Sequence, residues 1–103
     1  GAGRFSQVSG LKYTVDPAAP AGSRISEVLV RDGQNWVPID TNATYGVVSQ
    51  NYMRSGGDGY KVFAEKAINA YDFGPDLADV LADYLAKQGP GFAPKLDGRI
   101  TVK

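Results

Sequence analysis

The sequence predicts an α+β fold: a mixed β-sheet with a C-terminal amphipathic helix over about residues 75–88. Three observations lead there. Leu11, Tyr13 and Val15 alternate with Lys12 and Thr14, as in a strand that buries one face. Leu77, Val80, Leu81, Tyr84 and Leu85 recur at helical spacing and form one apolar stripe. Between these segments, short apolar runs are punctuated by Gly, Pro and Asp, the residues of turns.

Taken in order, Arg4 to Val8 alternates long and polar residues, and Leu11 to Val15 alternates again after Ser9-Gly10. Asp16-Pro17 opens a loop that carries Pro20 and Gly22. Ile25 to Val30 reads as a strand, Asp32-Gly33 as a tight reversal and Trp36 to Ile39 as its partner. Pro38 lacks an N–H to donate, so it belongs at an edge or a strand end. A polar turn over Asp40 to Thr44 leads to Tyr45–Gln50, apolar and β-branched enough to be a central strand. Glu65 to Tyr71 reads as a helical turn or an irregular segment. Asp72-Phe73-Gly74-Pro75 announces the helix, with Pro75 suited to its first position and Asp76 and Asp79 near the positive end of its dipole. Lys87 and Gly89-Pro90 stop it, and Arg99 to Val102 closes the chain as a strand.

A chain of 103 residues is one domain, residues 1–103, or part of one. Lys plus Arg and Asp plus Glu number 11 each, and they are scattered. No net field is available to recruit a nucleic acid polymer. The absence of Cys and His removes thiolate nucleophiles, the commonest general base and the commonest transition-metal ligand. Asp72, Asp76, Asp79 and Asp83 lie at helical spacing but read as a solvated face, so no metal site is expected within the chain. The chain opens on Gly1-Ala2-Gly3 without Met and is expected to be a piece of a longer protein.

The stretch Asn51-Tyr52-Met53-Arg54-Ser55-Gly56-Gly57-Asp58-Gly59-Tyr60 concentrates the unusual features. Three glycines free the backbone, Asp58 offers a carboxylate within them, and Tyr52 and Tyr60 stand on either side. Two readings fit this pattern. One is a surface turn with Asp58 in an Asx-turn and the tyrosines in the core. The other is a loop that holds a small polar ring compound. A phosphate loop is disfavoured, because the stretch lacks the Lys and Ser/Thr of that motif. Nothing here cleaves a bond, so the chain reads as a binding module.

Gly3-Arg4-Phe5-Ser6-Gln7-Val8-Ser9-Gly10-Leu11-Lys12-Tyr13, then Asp16-Pro17, then Pro20-Ala21-Gly22-Ser23-Arg24-Ile25, then Asn51 to Tyr60, resemble the C-terminal domain of the 5'-nucleotidases and 2',3'-cyclic-nucleotide phosphodiesterases. The likeness runs on through the Asp79 to Leu85 helix and Gly98-Arg99-Ile100. The resemblance implies a nucleoside-recognition domain in an exported, periplasmic or extracellular hydrolase. Its metal chemistry belongs to an N-terminal metallophosphoesterase domain with two divalent metal ions, so this chain alone is expected to be inactive. By motif it carries over Phe5 and Tyr52 as the rings that clamp the base, and Asp58 as the acceptor for the ribose hydroxyls. Asn51, Gly56, Gly57 and Gly59 shape the loop, Asn51 through its side-chain amide, with Tyr60 packed beneath. Arg4 and Arg24 are read as surface or loop-stabilising residues. Relatives close the two domains over the substrate, so the Phe5–Tyr52 slot is expected to face the metal domain only when closed. The family's domain starts further upstream, which is expected to leave an apolar face uncovered and the chain marginal alone or self-associating. Two alternatives are the equivalent domain of a sulfur-oxidation hydrolase and a non-catalytic interaction module. Phe5, Tyr52 and Asp58 together speak against the first, whose substrate has no base to clamp.

Overall fold

A computed structural model describes residues 3–103. The chain forms two compact units, one of residues 6–45 with 95–103 and one of residues up to 5 with 46–94.

The first unit is a four-stranded sheet. Its strands are β1 (Leu11–Val15), β2 (Ile25–Asp32), β3 (Asn35–Pro38) and β4 (Ile100–Val102), in the order β3-β2-β1-β4. The reversal read at Asp32-Gly33 is a hairpin in which Asp32 pairs with Asn35. Pro38 sits at the end of edge strand β3, where its missing N–H costs no ladder bond. β1 runs antiparallel to β2 but parallel to β4, with Tyr13 opposite Ile100, which makes the sheet mixed. The most buried residues are Thr14 and Val15, at the end of β1 between its two neighbours. Lys12 Nζ lies 4.6 Å from the Trp36 ring centroid, within cation–π range. Arg24 Nε donates to Ala19 O at 2.8 Å and so pins the 16–24 loop, the stabilising role the sequence predicts. Arg99 Nε donates to Asp97 Oδ1 at 2.8 Å, and that bond holds the Asp97 carboxyl below its ordinary value.

The second unit is helical. It contains α1 (Asn51–Arg54), a single 3₁₀ turn over Gly57–Gly59, α2 (Lys61–Glu65) and α3 (Leu77–Gln88). The amphipathic helix is where the spacing puts it, but it starts later than Pro75. Asp76 takes the extended N-cap conformation (φ −60°, ψ 138°) and its carbonyl accepts the first helical bond, from Val80 N at 3.0 Å. Pro75 therefore precedes the cap instead of opening the helix. Gly89 closes it at φ +83°, as the stop signals predict.

The strand expected over Tyr45–Gln50 does not form, and the alternation of Arg4 to Val8 builds none either. Residues 45–50 have no ladder, and Val47 and Val48 are 67% and 100% exposed. β-branched residues favour strands by packing on a pleated, half-buried surface, and this stretch is offered none. Instead the Tyr45 hydroxyl accepts from Asp40 N at 2.9 Å, fastening the 40–45 turn. Arg4 to Val8 is likewise a turn and irregular backbone.

The apolar stripe of α3 is uncovered: Leu77, Val80, Leu81, Tyr84 and Leu85 are all 45–61% exposed. Tyr84 meets Phe92 edge-on at 5.9 Å, the ring contact this helix makes among the described residues. No helix among the described residues is long and apolar enough to cross a membrane.

Candidate functional site

The Asn51–Tyr60 stretch is neither a plain turn nor an extended loop. It is a helical turn, a left-handed break and a 3₁₀ turn in close succession, with the helical turn of α2 directly after it. α1 is started by Gln50, whose side-chain Oε1 accepts from Tyr52 N at 2.9 Å. Sequence reasoning missed this cap because Gln is not among the usual capping residues. Asn51 shapes the stretch through its main chain. Its carbonyl accepts from Ser55 N at 3.1 Å and from Ser55 Oγ at 3.0 Å. Its side-chain amide, expected to fix the loop, makes no hydrogen bond among the described residues.

Gly56 ends α1 at φ +99°, in the left-handed region where a side chain is strained. Gly57 is required for a different reason. A Cβ there would lie 2.5 Å from Tyr52 Cε2 and 2.6 Å from both Cδ2 and Cζ. Near-equal distances to three consecutive ring atoms place Gly57 under the face of the ring, since an edge-on approach would leave the outer two distinctly farther away. Tyr52 is nevertheless 57% exposed. One ring face thus lies on backbone while more than half of the residue stays open to solvent, the form of a stacking platform.

Asp58 follows with φ 55° and ψ 24°, left-handed for a residue that has a side chain. Asp and Asn tolerate this region best among non-glycine residues, at a cost of about 1–2 kcal/mol. The conformation belongs to an exposed carboxylate in the residue after Gly57, the glycine on which the Tyr52 ring sits. A Cβ on Gly3 would lie 3.3 Å from Asp58 Oδ1, so residue 3 runs directly beside this carboxylate. A Cβ on Gly59 would lie 3.6 Å from Arg4 Nη1. The Tyr60 hydroxyl donates to Arg4 O at 2.6 Å, and its ring stacks on Phe63 with centroids 5.3 Å apart. Tyr60 is therefore held by Phe63 on one side and bonded to the segment that precedes Phe5 on the other.

Phe5 is 45% exposed. The structure brings its segment against the glycine turn through residues 3 and 4, while Phe5 and Tyr52 form no ring contact with each other among the described residues. Arg54 is a further member of the site that sequence reasoning left without a role. Its Nη1 donates to Phe63 O at 2.8 Å and its Nε pairs with Asp72 Oδ1 at 2.9 Å, tying α1 to α2 and to the irregular segment beyond. Asp72 is thus partly an ion-pair residue and not simply part of a solvated acidic face. Among the described residues, no group of three or more His, Cys, Asp or Glu side chains could hold a metal ion.

Known proteins resemble the chain closely. The family model for the 5'-nucleotidase C-terminal domain matches residues 1–65. A 5'-nucleotidase-related protein of Glossina morsitans morsitans is 41% identical over 96% of the chain, which spans 18% of that relative. The trifunctional nucleotide phosphoesterase protein YfkN of Bacillus subtilis is 38% identical over 97% of the chain, which spans 7% of it. The crystal structure of a 5'-nucleotidase precursor from Thermus thermophilus superposes with a TM-score of 0.87 at 44% identity, covering 98% of this chain and 20% of that one. The chain thus spans a fifth or less of each of these proteins. On sequence and on fold alike, it belongs to the 5'-nucleotidase C-terminal domain family.

Proposed function

We propose that the chain is the nucleoside-recognition part of a 5'-nucleotidase-type phosphoester hydrolase. The observation that carries the reading is the Tyr52 ring, seated by one face on Gly57 in a residue more than half exposed, with the Asp58 carboxylate on the residue after that glycine. A purine or pyrimidine stacks on the open part of Tyr52, and Phe5 closes over its second face. Stacking is tolerant of base identity and contributes on the order of 1–3 kcal/mol per base. The ribose 2'- and 3'-hydroxyls donate to Asp58, which accepts both through charge-assisted bonds. The left-handed backbone holds the carboxylate in place before ligand arrives, so less ordering is left to the binding step.

In the whole protein these contacts act at a distance from the reacting phosphorus. They supply binding energy and orientation, while the phosphoryl chemistry belongs to a metal-bearing domain elsewhere in the protein. The two divalent ions implied by the family would supply a bound nucleophile and charge stabilisation there. The residues of this chain take no part in bond cleavage. We place the protein in the periplasm or outside the cell, on the family resemblance.

The test is adenosine titration followed by NMR. The chain should bind adenosine weakly, and Phe5→Ala or Tyr52→Ala should each weaken it about 5- to 150-fold. Unchanged binding in both variants would show that these rings are not the clamp.

A further inference from the structure

We infer that the Tyr60 hydroxyl is a positioning group for the nucleoside site, acting through Phe5. This rests on the site proposed above and extends it to a residue that touches no ligand. Phe5 lies in irregular backbone, outside any strand or helix that could fix its ring. What ties its segment to the glycine turn is local. Tyr60 donates to the carbonyl of Arg4, the residue just before Phe5, at 2.6 Å across 56 positions of sequence. The peptide that follows this carbonyl is the one that carries Phe5, so the bond sets where the ring starts from.

Tyr60 is itself well fixed. Its N–H donates to Gly57 O at 3.1 Å, and its ring stacks on Phe63, whose carbonyl is held by Arg54. Gly57 is also the residue on which Tyr52 sits. A short chain of contacts therefore runs from one ring to the other: Tyr52 on Gly57, Gly57 O to Tyr60 N, Tyr60 hydroxyl to Arg4 O, and Arg4 to Phe5. The residues that set the position of one jaw set that of the other. Gly3 and Arg4 reinforce the placement, Gly3 beside the Asp58 carboxylate and Arg4 against Gly59. Close approach at both points leaves the 3–5 segment lying along the turn, with Phe5 at its far end.

A double-mutant cycle on the chain, read as the adenosine Kd by NMR, tests this. Tyr60→Phe removes one oxygen and keeps the ring that stacks on Phe63, so the turn itself should persist. It should weaken adenosine about 3- to 10-fold, the range for one lost hydrogen bond. In a Phe5→Leu background, where no aromatic jaw remains to be placed, the same substitution should change the affinity less than about twofold, because the two effects are coupled and not additive. Equal losses in both backgrounds would make Tyr60 merely structural and overturn the inference, as would no loss in the parent background. If Tyr52→Ala binds adenosine like the parent, the nucleoside site itself is wrong and the role of Tyr60 falls with it.

Discussion

Gly57→Ala should abolish the nucleoside platform about as completely as removing the Tyr52 ring. The added methyl would sit 2.5 Å from Cε2, well inside contact distance for two carbons, and its three nearest neighbours are all atoms of the Tyr52 ring. Tyr52 has to leave its seat. Gly57 is not in a left-handed conformation, so the substitution adds no backbone strain to confuse the result. Adenosine affinity should fall tenfold or more, within the span that stacking contributes. Chemical-shift changes in the free chain should be confined to residues 51–60 and the 3–5 segment that lies along them, leaving β1 to β3 untouched. An affinity within twofold of the parent would mean that the ring does not stack from this position.

Asp58 calls for a subtler substitution than alanine. Because its φ is 55°, alanine would remove the carboxylate and also add the backbone cost of a left-handed Cβ, about 1 kcal/mol or more. Asparagine tolerates the conformation and removes only the charge. Asp58→Asn should therefore keep the melting temperature of the parent while losing preference for adenosine over 2',3'-dideoxyadenosine. The preference should shrink about tenfold, since hydrogen bonds to a charged group contribute on the order of 1.5–3 kcal/mol and the amide retains one accepting oxygen. Asp58→Ala should lose the preference and melt earlier as well. A preference unaffected by Asp58→Asn would remove the ribose from this residue.

Much of this was legible in the residues, for identifiable reasons. The β1 alternation, the Asp32-Gly33 hairpin and the α3 stripe are periodic or turn-encoded, and each stands within a residue or two of its expected place. The failures have separate causes. Residues 45–50 have strand composition but no neighbour to pair with, and composition cannot report the absence of a partner. The start of α3 moved because Asp76, not Pro75, supplies the capping conformation, and boundaries turn on such single dihedrals.

The site divides the same way. Tyr52, Asp58 and the glycines were found together because they are adjacent in sequence, and Phe5 only through the family resemblance. The Tyr60–Arg4 bond and the Arg54 fork join residues far apart in the chain or lack any motif, so no local pattern announces them. Spacing announced the apolar stripe of α3, but not that its five residues would be 45–61% exposed.

The parallel register of β1 with β4 has a kinetic consequence. Tyr13 meets Ile100 only after the whole helical unit has been threaded out and back. Closing a flexible loop on the order of 85 residues costs roughly 4 kcal/mol of chain entropy, far more than the two-residue hairpin of β2 and β3. Long-range parallel pairing of this kind is slow, and three residues of β4 return little for it. The β1–β3 meander should thus zip first and β4 dock last, once the intervening chain has condensed and shortened the span. Native-state hydrogen exchange should find Thr101 and Lys103, whose N–H groups face β1, opening well before Leu29 and Val30. If they open together, the last strand is an integral part of the cooperative unit and not its latch.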